Sequence, residues 1–170
     1  MENGPTIETG VTLLRVWLGV VMLSHGYHHA RSIPGTTRWF GAKGFRHPKL
    51  NAIASAGGEI AIGSALVLGL ATAVAAAGAV AVMVVAFWSI HRFAGFFVFK
   101  RPDEGWEYVG TLAIAATVLA LIGPGRLSLD RALGLDDVLS GWTGLALVAG
   151  GVVAAGVQLA FMWRRPPPKV

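Results

Sequence analysis

Charged side chains leave four long stretches of this chain almost untouched, and that spacing restricts its fold more than any other feature. Thr9 to Ala30 carries only Arg15, Leu50 to Ile90 carries only Glu59, and Tyr108 to Gly125 and Val138 to Trp163 carry none. A helix that crosses a hydrocarbon core of about 30 Å needs about 20 apolar residues. The 41 residues from Leu50 to Ile90 would make about 60 Å of continuous helix, so they must fold back once, near Gly69 to Ala73. The pattern predicts an all-α polytopic membrane protein with five spans, at 8–30, 50–70, 73–93, 106–123 and 141–163.

Composition agrees, with 54% hydrophobic and only 14% charged residues in a chain of 170, too apolar for a soluble domain of this size. The start, with Glu2 and Glu8, is not that of a cleaved secretory leader. No cysteine is present, so thiol redox chemistry would have to come from a cofactor or a partner. No HExxH, GxSxG, phosphate-cradling or dinucleotide motif appears. The net charge of +5 is not gathered on one soluble module, which excludes a nucleic-acid partner. Five alternating spans instead put Arg31, Arg38, Lys43, Arg46, Lys49, Arg92, Lys100, Arg101, Arg164, Arg165 and Lys169 on one side, against Arg126 and Arg131 on the other. The positive-inside rule then places the N terminus outside and the C terminus in the cytoplasm.

Between the first two spans, Arg38, Lys43 and Arg46 interleave with Trp39, Phe40 and Phe45, the mix of an interfacial segment. Small residues at four-residue spacing, Gly57, Ala61 and Ala65 and then Ala73, Ala77 and Ala81, fit close packing inside the bundle or a homodimer seam. Gly150, Gly151, Ala154, Ala155 and Gly156 suggest that the fifth span also packs on protein. Arg164, Arg165 and Pro166 to Pro168 end it at the interface.

An ionisable group at membrane depth costs several kcal/mol unless paired or hydrated, so each one needs an account. By helical rise, Glu59 lies about 14 Å from the cytoplasmic edge, and Arg15 lies within snorkelling reach of it. An Arg15 to Glu59 ion pair is therefore expected. His25, His28 and His29 close the first span, His91 closes the third, and Glu104 and Glu107 open the fourth. All of them meet at the cytoplasmic end above Glu59, an arrangement able to hold a metal, a haem or a quinone head group. His25 with His91 is the pair a haem would use. Among Trp17, Trp88 and Trp106, Trp88 is the pocket candidate, while Trp106 and Tyr108 fit interfacial anchors.

Several ordered segments resemble the DoxX family of small bacterial membrane proteins: LLRVWLGVVMLSHG (Leu13 to Gly26), GGE (Gly57 to Glu59), GLAT (Gly69 to Thr72), EGWEYVGTLAIAA (Glu104 to Ala116) and GPGRLSLD (Gly123 to Asp130). The resemblance spans roughly residues 10–132 and places the family's recurring polar residues on Arg15, His25, Glu59, Glu107 and Asp130. Tyr27, His28 and His29 stand where a lysine usually follows the His-Gly. It implies a four-helix transmembrane core, residues 1–132; the additional C-terminal transmembrane helix and basic Pro-rich tail at 133–170, read from the charge spacing, lie outside the family's core pattern. It also implies residence in a bacterial inner membrane beside other subunits of a redox complex. In GPGRLSLD, Arg126 and Asp130 are expected to pair within a structural turn.

The leading functional expectation is an accessory subunit of a quinone-linked membrane oxidoreductase. Glu59 and His25 would handle protons, and Arg15, Trp88, His91 and Glu107 would help hold the carrier. A metal or haem is the lesser cofactor alternative. Two other classes stay open: a non-catalytic scaffold that recruits partner proteins, and a small transporter or lipid-handling protein.

Overall fold

The computed structural model describes residues 4–99 and 104–166. Lys100, Arg101, Lys169 and the prolines at 167 and 168 lie outside the described residues. The long helices are α1 (Pro5–Ala30), α3 (Pro48–Leu68), α4 (Thr72–Ser89), α5 (Glu107–Ile122) and α8 (Gly141–Met162), with α2 (Ile33–Ala42), α6 (Leu129–Ala132) and α7 (Asp136–Leu139) between them. Four are long and apolar enough to cross a membrane. With 16 residues, α5 is shorter, about 24 Å of helix. The protein is therefore an all-α polytopic membrane protein.

The fold-back falls where it was expected. α3 stops at Gly69, which adopts φ +67 and donates its N–H to the α3 carbonyls, a left-handed cap that glycine adopts without strain. Ala71 follows at φ 46, and α4 then runs back along α3. Over its most apolar window 56% of α4 is buried, against 11% of α8, so α4 is the central post and α8 an outer one. α4 packs against α3, α5 and α8, and α1 lies along α3. Gly144 of α8 meets the Ala120 backbone of α5, and Gly151 meets Ala77 of α4.

The close approach between α1 and α3 uses a different stripe from the one the four-residue spacing suggested. Gly19 faces Gly63 and Val67, and Gly26 faces Ala56 and Ile60. These are small residues seven apart on antiparallel helices, and they bring the backbones together. Gly57 and Ala61 instead face outward, uncovered by the rest of the chain.

The interfacial segment is α2, capped by Ser32 accepting from the Gly35 N–H at 3.2 Å. It lies across the N-terminal end of α3, burying Thr36 and Phe40. Beyond it the chain pairs with the end of α8: Arg46 N–H donates to the Met162 carbonyl (2.7 Å), Arg164 N–H to the Gly44 carbonyl (2.9 Å), and Trp163 Nε1 to the Lys43 carbonyl (2.9 Å). Phe40, Phe45, Ala52, Leu159 and Trp163 bury one another there.

A Cβ at Gly63 would lie 2.6 Å from the Leu23 nitrogen and 2.7 Å from the Gly19 oxygen, whereas one at Gly57 meets nothing within 4 Å. Gly63→Ala is expected to lose about 1–3 kcal/mol of stability in a detergent unfolding titration. Gly57→Ala should be neutral or slightly stabilising.

Candidate functional site

The polar residues at membrane depth divide between the two ends of the bundle. Arg15, 1% exposed, donates Nη1 to the Leu66 carbonyl (2.7 Å) and the Val67 carbonyl (3.0 Å), and Nη2 to the Leu127 carbonyl. Asp130, also 1% exposed, accepts from Ala71 N–H (2.6 Å) and Thr72 N–H (2.8 Å). The guanidinium thus satisfies carbonyls at the C-terminal end of α3, and the carboxylate satisfies amides at the N-terminal end of α4. Each helix dipole meets the charge that suits it.

The expected Arg15 to Glu59 pair does not form. From Leu66 to Glu59 is seven residues, about 10 Å along α3, and Arg15 finds its acceptors at the nearer, opposite end. Arg126 is exposed, and Asp130 caps α4 instead of pairing with it. Arg15 therefore belongs to the scaffold of the turn.

At the basic end a cavity of about 310 Å³ opens between α1, α3, α4 and α5. Its floor holds Glu59, 3% exposed, which accepts a hydrogen bond from the Ser55 hydroxyl one turn earlier. His29 Nε2 stands 3.9 Å from Glu59 Oε1. His91, after α4, and Tyr108, on α5, also line it. His91 Nδ1 lies 2.6 Å from the Glu104 carbonyl, which can only accept, so Nδ1 is assigned the proton. In the neutral ring Nε2 is then bare and accepts the Tyr108 O–H at 2.9 Å. Trp39, Phe40 and Phe45 from α2 and the following turn roof the cavity.

Of the expected site residues, Glu59, His25 and His91 line this cavity and Arg15, Trp88 and Glu107 do not. His25 stands at the mouth as an exposed residue, while His29, one turn on, is the imidazole beside Glu59. Trp88 points outward between α4 and α8. The Glu107 carboxylate accepts from the Val98 N–H at 3.1 Å and so orders the loop before α5. His91 has both ring nitrogens engaged and offers none to a haem. Among the described residues, no three His, Asp or Glu side chains converge as metal ligands.

Ser55, Tyr108 and the α2 aromatics are further members of the site. Tyr108 reads as an anchor because it sits near a span end, yet it follows Glu104 by four residues in a segment that returns to His91. Gly19, Met22, Gly26 and His29 fall at offsets of three and seven, so the glycine face of α1 carries His29 to α3, whereas His25 lies about 100° round the helix from Gly26.

A cavity with a buried carboxylate, set in a bundle of apolar helices, defines a small polytopic membrane protein with a chamber among its helices. Residues 10–92, just under half of the chain, match the DoxX family model, and this segment is a DoxX domain. The matched segment contains Arg15, His25, Glu59 and His91. Tyr108 and Asp130, in the motifs from Glu104 to Ala116 and Gly123 to Asp130, lie beyond it. No curated protein and no solved structure matches the chain.

Arg15→Gln is expected to lower stability by about 2–4 kcal/mol, since it leaves the buried Leu66, Val67 and Leu127 carbonyls without their donor. Asp130→Asn should cost about 1–3 kcal/mol. The double variant should lose less than the sum, because both side chains hold one turn. Unfolding of the four proteins in mixed detergent measures the cycle.

Proposed function

We propose that this chain is an accessory subunit of a bacterial inner-membrane redox system and that its cavity holds the head group of a quinone or a similar hydrophobic carrier. The observation that carries the reading is one chamber with two polar walls: the carboxyl of Glu59 with Ser55 and His29, and the Tyr108 phenol backed by His91. A quinone has two carbonyl oxygens across a flat ring, and such a ring needs hydrogen-bonding groups on opposite sides with apolar or aromatic surface between. Trp39, Phe40, Met83 and Val109 supply that surface.

Converting a quinone to a quinol takes two electrons and two protons. The chain contributes routes for protons, through Glu59 with His29 and His25 at the mouth, and through Tyr108 with His91. With no cysteine, thiols of this chain cannot supply the electrons, and a partner subunit would deliver them. Among the described residues, the basic end carries Arg31, Arg38, Lys43, Arg46, Lys49, Arg92, Arg164 and Arg165. That asymmetry favours a cytoplasmic chamber and C terminus, with the N terminus outside.

Purified protein is expected to retain extractable quinone and to bind a short-chain quinone in a fluorescence titration. Glu59→Gln and Tyr108→Phe should each weaken binding about tenfold, the value of one buried hydrogen bond, while the detergent melting curve stays close to that of the parent. If the parent neither retains nor binds quinone, the redox reading fails and the scaffold class stands in its place.

A further inference from the structure

A second concavity lies on the outer surface, between α4 and α8, and has no part in the chamber. It measures about 490 Å³, with walls from Val84, Val152, Gly156 and Ala160. At the basic end Trp88, Trp163, Arg164 and Arg165 frame its mouth. A Cβ on Gly156 would meet no heavy atom within 4 Å, so this wall borders open space where the helices do not close on each other. Trp88 is 45% exposed, its ring turned toward the groove.

The charge at the mouth is unusual. Arg92 holds its guanidinium carbon 3.9 Å from the Trp88 ring centroid and 5.8 Å from that of Trp163. Its Nε is buried with no hydrogen-bond partner. The Arg165 guanidinium carbon lies 4.5 Å from the Phe93 ring centroid. Among the described residues no carboxylate forms an ion pair with Arg92, Arg164 or Arg165. Stacking on indole fixes a guanidinium plane while leaving N–H edges to donate.

We infer that this groove is a binding site for an anionic phospholipid, with the phosphate at Arg92, Arg164 and Arg165 and an acyl chain along Val152, Gly156 and Ala160. Guanidinium groups at headgroup depth favour anionic lipid by about 1 kcal/mol each and match phosphate oxygens in fork geometry. A free phosphate would use only the mouth. The apolar trough beneath it selects a molecule that carries hydrocarbon below its charge.

Native mass spectrometry of the full chain, titrated with phosphatidylglycerol or phosphatidylcholine, tests the site. Phosphatidylglycerol should be retained preferentially. Arg164→Gln with Arg165→Gln should weaken its binding about tenfold, and Gly156→Phe, which fills the trough, should weaken it comparably. Arg38→Gln, at the same end but on α2, should leave binding unchanged, and a detergent melt confirms that each variant is folded. Equal retention of the two lipids, full binding by the Gly156→Phe protein, or an equal loss on Arg38→Gln would overturn the site. Competition by inorganic phosphate as strong as that by lipid would also overturn it.

Discussion

Hydrocarbon supplies no hydrogen bonds, so every backbone group left over at a helix end inside a bilayer must find its partner within the protein. The sharp turn between α3 and α4 concentrates that demand, because the unpaired carbonyls of one helix adjoin the unpaired amides of the next. Arg15 and Asp130 meet it from two distant segments, the first reaching the carbonyls and the second the amides. The Asp130 N–H also donates to the Gly69 carbonyl at 2.8 Å, so the turn is held on both its backbone and its ends. Ala71 keeps a left-handed conformation there, which an alanine adopts only when its surroundings impose it. With the turn pinned, α3 and α4 have one relative height. That height sets Glu59 on α3 and the His91 end of α4 about one chamber.

The two ends of the bundle therefore use buried polarity differently. At the turn, the charged side chains spend their hydrogen bonds on backbone groups, and the neighbouring space is filled. In the chamber, Glu59 bonds a serine hydroxyl and faces an imidazole, and Tyr108 donates to His91. These are side-chain partners around open volume, with lone pairs left over. Groups of the first kind hold a fold together, and groups of the second kind can exchange partners with a ligand at small cost.

The spans were legible because charge is excluded from hydrocarbon regardless of which helix packs on which, and the fold-back near Gly69 followed from length alone. Pairing was less legible. Arg15 and Glu59 are the only charged side chains, histidine aside, from Thr9 to Ala30 and from Leu50 to Leu70, which makes them look like partners, but an arginine with backbone acceptors in reach does not need a carboxylate. Its acceptors are the Leu66, Val67 and Leu127 carbonyls, and Asp130, 115 positions away, holds the same turn from its amide side. Rotation about the helix axis decided the histidines: a face is set by which glycines touch α3, and that is visible only once Gly19 and Gly26 are known to be the contact. Tyr108 was obscured for another reason, since an aromatic residue with a polar tip near a span end suits the interface and a binding wall equally well.

The chamber also depends on α8, which lies outside the segment that matches the family. Its roof is α2 with the turn that follows, and that turn is tied to the end of α8 through Gly44, Arg46 and the Trp163 indole. Phe40 and Phe45, which face the cavity on one side, pack on Trp163 and Leu159 on the other. An amphipathic helix of ten residues has little stability alone, so its position over the cavity is set by what it rests on. α3 supports it from below, and α8 holds its trailing edge. α8 thus reaches beyond packing against α4 and α5, and the roof over Glu59 depends on it as well as on α3.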